Sequence, residues 1–99
     1  MTRPFYSEYV RHCLRFYTRN KDFTHFKSES DKKNWFACEI VFKGYSEKDQ
    51  EILTSIYGEY DTLADNVYVT SKKHEINQNI IWDMMKDVER KIAQERGLL

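Results

Sequence analysis

Glycine and proline are scarce in this sequence, with three glycines and one proline among 99 residues. All four stand where an apolar pattern begins or ends, at Pro4, Gly44, Gly58 and Gly97, so they predict helix boundaries and favour an all-α fold. Long apolar runs are missing too, since none approaches the ~20 residues that a membrane-spanning helix requires. We therefore expect a soluble protein, and its length suits a single domain with one modest core.

Motifs of catalysis and metal binding are also missing. Cys13 and Cys38 stand alone, with no CxxC pair and no secretory leader, which is typical of reduced thiols in a cytoplasmic protein. There is no glycine-rich phosphate loop, no nucleophile motif and no metal-ligand spacing of His and Cys. We therefore expect no enzymatic activity, no metal, no cofactor and no small-molecule substrate.

The sequence has no net charge, because sixteen acidic side chains balance sixteen basic ones. The whole molecule thus lacks the strong positive charge of many nucleic-acid binders. The distribution is uneven: residues 1–28 carry six basic and two acidic side chains, whereas residues 29–66 carry four basic and nine acidic. The start of the chain is therefore the basic end.

Five segments of the chain have helical spacing of apolar residues. The first runs from Pro4 to about Arg19 and presents Phe5, Val10 and Leu14 on one face. Four polar residues predict the N-termini of the other helices: Ser28, Ser46, Thr62 and Asn77. The first three of these have an aspartate three residues later, which is capping-box spacing.

The second and fourth helices raise alternatives. Trp35, Phe36 and Ile40 make the second helix so apolar that we expect burial on more than one side, although the two aromatic rings could instead stack on bases. In the fourth helix the expected apolar face includes Val67 and Tyr68. A strand over residues 67–70 is the less favoured alternative there, because three of the four residues are β-branched.

Residues 62–97 have the order of a helix-turn-helix, with a short helix, a polar break at residues 73–76 and a long helix from Asn77. Ile76 is expected to plug the turn. The long helix has apolar residues at steps of four, three and four: Ile81, Met85, Val88 and Ile92. We expect this stripe to face the core.

The start of the second helix of such a motif enters the major groove, which makes four residues candidate base contacts: Asn77, Gln78, Asn79 and Trp82. Gln78 and Asn79 are preferred because a side-chain amide can pair with adenine. Asp83 and Asp87 would oppose DNA. Basic candidates for phosphate contacts are Lys72, Lys73, Lys86, Arg90, Arg11, Arg15 and Arg19.

Arg11, Arg15 and Arg19 recur at steps of four, which stacks them along one predicted exposed stripe of the first helix. Like charges at that spacing repel weakly, so the three stacked arginines need an explanation. One explanation is a ridge that contacts phosphates. The other is a solvated helix face paired with the acidic middle of the chain.

The segment from Tyr45 to Leu99 carries a family resemblance. Its marked positions are Ser46, Asp49, Ile52, Leu53, Ile56, Tyr57, Ile76, Asn77, Ile81 and the run Met85–Ile92. The series resembles the promoter-reading C-terminal region of bacterial sigma factors, and is similar to the small sigma-like regulators of phages and conjugative elements of low-GC Gram-positive bacteria. The resemblance implies binding to DNA, with RNA polymerase or a second copy of the chain as further partners.

We therefore predict an all-α, five-helix single domain over residues 1–99. Residues 1–44 form two N-terminal helices and residues 45–99 form a sigma-like helix-turn-helix part. The predicted function is DNA binding in transcriptional control of a mobile element, in the cytoplasm. The alternative is a non-catalytic protein-interaction module without DNA affinity that binds a protein, or a second copy, through Trp82.

Overall fold

The computed structural model describes residues 4–22 and 25–99, and within them the chain forms five α-helices and no strand. They are α1 (Ser7–Arg19), α2 (Glu29–Phe42), α3 (Glu47–Gly58), α4 (Leu63–His74) and α5 (Gln78–Glu95). The all-α prediction is confirmed, and the strand alternative for residues 67–70 is wrong because α4 continues through them. None of the described helices has the length and apolar character needed to cross a lipid bilayer.

Local capping chemistry sets where four of the helices begin. Each predicted cap residue accepts a hydrogen bond from a backbone N–H two or three residues ahead: Ser28 from Asp31, Ser46 from Asp49, Thr62 from Asp65 and Asn77 from Asn79. These four predictions are confirmed. The first helix starts at Ser7, later than expected, because Pro4 instead accepts the Ser7 N–H in a turn, at 3.1 Å.

The five helices pack around one core. α1 lies against α2 and α3, while α5 packs on α1, α2 and α4. The predicted stripe of α5 is confirmed, since Ile81, Met85, Val88 and Ile92 are each at most 1% exposed. The largest side chains that α1, α2 and α3 bury completely are Leu14, Phe42, Tyr57, Ile52, Leu53 and Ile56.

Four apolar residues that we expected in the core are exposed. Phe36 and Ile40 lie one turn apart on α2, 44% and 57% exposed, because α1 and α5 cover only the opposite side of this helix. The expectation that α2 is buried on several sides is therefore wrong. Phe5 is 81% exposed because it precedes α1 and does not share its register, and Tyr68 is 52% exposed on the outer face of α4.

A buried carboxylate ties α5 to α1 and α3. Glu89 is 4% exposed and accepts hydrogen bonds from Arg11 Nε at 3.0 Å and from the Tyr57 hydroxyl at 2.5 Å. Burial, followed by the charge of Glu89, raises the pKa of Tyr57 well above its usual value. Three helices thus meet at one charged group, whose desolvation is offset by these partners.

The raised pKa of Tyr57 makes the free energy of unfolding depend on pH in the alkaline range. Because the pKa of Tyr57 is raised in the folded state, its contribution is complete below the unfolded value of about 10 and is lost as the pH rises further. Burial raises the pKa of Tyr17 and Tyr45 as well, so they add to the slope. The urea midpoint should therefore be much lower above pH ~10 than below it. Equal midpoints would contradict these burial assignments.

The two cysteines are buried and unpaired, Cys13 at 1% and Cys38 at 0% exposure. Burial raises the pKa of Cys13 to about 11 and that of Cys38 further. Because the thiolate is the reactive form, we expect both thiols of the native protein to react slowly with an aromatic disulfide reagent and rapidly in denaturant. The absorbance of the released thiolate measures both rates, and rapid labelling before unfolding would contradict the structure.

Candidate nucleic-acid interface

The connection between α4 and α5 is three residues long, from Glu75 to Asn77. Glu75 adopts the left-handed conformation, with φ 54° and ψ 47°, and its N–H bonds back to the Ser71 carbonyl. The break predicted at residues 73–76 therefore lies further along, because α4 continues through His74. Ile76 is half-buried against the core, in agreement with the predicted plug.

The first turn of α5 is open to solvent. Gln78 and Asn79 are exposed, and Ile80 is 56% exposed. Among the five described helices, only α5 has no acidic residue in its first turn. The positive end of its helix dipole is therefore not offset by a carboxylate of its own first turn.

An outward stripe continues from this first turn along α5. Asn79, Asp83, Lys86 and Arg90 follow one another at steps of four, three and four, so they share one face, and all four are exposed. We call these four residues the α5 stripe. It combines one amide, two cations and one carboxylate, so its net charge is slightly positive.

The other two candidate base contacts have structural roles. The Asn77 side-chain oxygen accepts the N–H of Asn79 at 2.8 Å, so it caps α5. Trp82 is half-buried and packs against the core. Asn77 is exposed but its side-chain oxygen is used in the cap, so Gln78 and Asn79 are the exposed candidates without such a role.

Asp87, which we expected to oppose DNA, is compensated within the protein. Its carboxylate accepts a hydrogen bond from the Tyr45 hydroxyl at 2.5 Å and an ion pair from Lys91 at 2.9 Å. The hydrogen bond from Tyr45, followed by that from Lys91, lowers the pKa of Asp87. Asp83 is exposed, and in the described part of the chain it has no ion pair. Asp83 is thus the acidic group of the α5 stripe that can repel an anion.

The predicted arginine ridge on α1 does not form one exposed surface. Arg11 is wrongly predicted to be exposed, because its ion pair with Glu89 leaves its side chain 15% exposed. Arg15 is half-buried. Arg19 is exposed but donates to the carbonyl oxygens of Gly58 and Glu59, at 3.2 and 3.0 Å, so it caps the end of α3. Its guanidinium also lies 3.9 Å from the centre of the Tyr60 ring.

The three candidate lysines divide between two helices. Lys86 belongs to the α5 stripe. Lys72 and Lys73 are exposed near the end of α4, where the amine of Lys72 lies 5.5 Å from the centre of the Tyr68 ring. Lys73 lines a groove whose other lining residues include the acidic Glu59 and Asp61.

Sequence reasoning missed the outer face of α4. Tyr68 and Val69 are 52% and 62% exposed there, directly opposite the buried residues Val67 and Thr70. The available signal was the position of Val69, which falls outside the apolar helical repeat of α4. In residues 4–22 and 25–99 there is also no cluster of His, Cys, Asp and Glu that could hold a metal ion.

Comparison with protein-family models, with curated proteins and with solved structures found no match to this chain. Functional interpretation therefore starts from the surface of α4 and α5.

Proposed function

We propose that the protein binds duplex DNA through the start of α5 and the α5 stripe, as a helix-turn-helix regulator of transcription. The observation that carries this proposal is the solvent-exposed first turn of α5, which presents Gln78 and Asn79 with no acidic residue within that turn. Amide side chains of this kind can donate to and accept from adenine in the major groove.

The spacing along α5 supports base contacts from its first turn and phosphate contacts from residues further along the helix. Lys86 follows Asn79 by seven residues, which is about 10 Å along a helix axis. The major groove is about 12 Å wide, so a helix whose first turn touches base edges carries Lys86 towards the phosphates at the groove edge. Arg90 lies one further turn along the same face. In this arrangement Gln78 and Asn79 read bases, while Lys86 and Arg90 hold the backbone.

The proposal narrows the set of phosphate contacts. Arg11 and Arg19 form intramolecular bonds, and Lys73 lies beside Glu59 and Asp61, so these three are weaker candidates than Lys86 and Arg90. The order of the helices over residues 45–99 supports the sigma-like assignment. A regulator of that kind would act in the cytoplasm, with RNA polymerase as a further partner.

Fluorescence anisotropy with a labelled mixed-sequence duplex tests the proposal. Affinity should be measurable at low salt and should fall as salt rises, with a logarithmic slope near −2 for two phosphate contacts, at about −0.9 each. Binding that is undetectable at low salt, or that does not respond to salt, would overturn it. A selection from random duplexes would then show whether adenine is preferred, as the amides of Gln78 and Asn79 require.

A protein-interaction function is the second candidate, and the exposed Tyr68 and Val69 on α4 favour it. Our sequence interpretation assigned the anchor to Trp82, but this ring packs against the core. A protein contact would therefore involve α4 instead of the middle of α5.

A further inference from the structure

Four residues on the outer face of α4 are symmetrically spaced. Asp65, Tyr68, Val69 and Lys72 occupy steps of three, one and three, so they form a single stripe on the side of the helix opposite the core, and all four are exposed. We call these residues the α4 stripe. It has an acidic residue at one end, two apolar residues in the middle and a basic residue at the other end.

Within the described ranges, the charges at the two ends of the α4 stripe have no ion-pair partner. Asp65 and Lys72 are seven residues apart, about 10 Å along the axis, which is too far for a direct ion pair on one helix. Asp65 accepts a hydrogen bond from the Thr62 hydroxyl at 2.9 Å, and Lys72 lies over the Tyr68 ring.

We propose that the α4 stripe is a homodimer interface, in which the α4 helices of two copies pack antiparallel about a two-fold axis midway between Tyr68 and Val69. A two-fold interface requires one patch to complement itself. Antiparallel packing about that midpoint places Asp65 of each copy opposite Lys72 of the other and joins the apolar residues at the centre. Parallel packing would place like charges together, so the charge pattern selects the antiparallel arrangement.

The exposed apolar residues favour a second copy as the occupant of this face. Val69 is 62% exposed although a β-branched residue is a poor choice for a solvent-facing helix position. A partner that covers it must also supply a cation and an anion at the correct separation, and a second α4 stripe supplies both. This inference does not depend on DNA binding, because Gln78, Asn79 and Lys86 lie on the other helix.

The contact is small, so the dimer should be reversible. A twelve-residue helix spans about 18 Å, and a pair of such helices buries less than the ~1,200 Å² of a standard stable interface. Light scattering coupled to size exclusion should therefore show the mass rising from monomer to dimer between micromolar and millimolar concentration. A monomer mass throughout that range would overturn the proposal.

Charge reversal tests the pairing itself. Asp65→Lys and Lys72→Asp each place like charges opposite one another twice, so each variant alone should dimerise at least about tenfold more weakly than the natural chain. An equimolar mixture of the two variants restores opposite charges at both contacts and should recover the dimer mass. Variants that dimerise like the natural chain, or a mixture that stays monomeric, would overturn the proposal.

Two further measurements distinguish a loss of the interface from a change in net charge and from a loss of folding. Lys32→Asp on α2 changes the net charge as Lys72→Asp does and should leave the dimer unchanged, because Lys32 is exposed on another helix. Asp65→Lys also removes an acid from the first turn of α4, so circular dichroism must show that the variant is folded. If it is not, dilution of the natural chain followed by amide NMR decides the question. Shifts at Tyr68 and Val69 support the interface, and shifts confined to other helices overturn it.

Discussion

Replacement of Glu89 by alanine should destabilise the protein by about 3–5 kcal/mol, the largest effect we expect from any single substitution. The carboxylate is 4% exposed and accepts hydrogen bonds from Arg11 and from the Tyr57 hydroxyl. Its removal leaves a guanidinium that is 15% exposed without its partner and a buried phenol without an acceptor. Domains of this size are stable by only about 5–15 kcal/mol, so the substitution should remove a large part of the free energy of unfolding.

Urea denaturation followed by circular dichroism measures this loss, and Asp87→Ala is the matched control. Asp87 lies on the same helix but is 44% exposed, so its pairs with Tyr45 and Lys91 should be worth less than about 1 kcal/mol. The double variant Arg11→Met with Glu89→Leu should recover part of the stability, because it removes both buried charges together. A loss at Glu89 no larger than that at Asp87 would contradict the buried network.

The second large effect concerns DNA. The double variant Lys86→Glu with Arg90→Glu should lower the affinity for duplex DNA by about 100-fold near 0.1 M salt and flatten its salt dependence. Each phosphate contact contributes roughly eightfold at that salt concentration through counterion release, and the introduced carboxylates add repulsion. Anisotropy titrations at several salt concentrations give both quantities.

The matched control is Lys32→Glu with Lys33→Glu, two exposed cations on α2 whose reversal changes the net charge by the same amount. This control should bind nearly as well as the natural chain. Asp83→Asn should bind more tightly, since it removes the unpaired carboxylate of the α5 stripe. If the control on α2 loses as much affinity as the variant on α5, binding reflects overall charge and the proposed interface is wrong.

Local chemistry explains why much of the fold could be predicted. Ser28, Ser46, Thr62 and Asn77 each satisfy a backbone N–H within one turn, so their role depends only on neighbouring residues. The stripe of α5 from Ile81 to Ile92 was predictable for a similar reason, because helical periodicity alone places those residues on one face.

The candidate site was predictable only in part. Gln78 and Asn79 were identified because they begin the second helix of a predicted helix-turn-helix and carry amides that can pair with adenine, and the structure leaves both exposed. The role of Arg11 was not identified, since its partner Glu89 is 78 positions away in the chain. Periodicity marked Arg11 as a surface residue, and the same reasoning gave no sign that Glu89, next to Val88, is buried.

The sequence by itself determined five helices, the N-terminal caps of four of them and the apolar face of α5, because these depend on contacts within a few residues. Only the tertiary structure decided which of the remaining faces stay open. The choice of neighbours left Phe36 and Ile40 exposed on α2, buried Arg11 against Glu89, and turned the α4 stripe outward. The physical reason is that burial depends on which helices meet, and helices distant in sequence are brought together only by packing of the whole core.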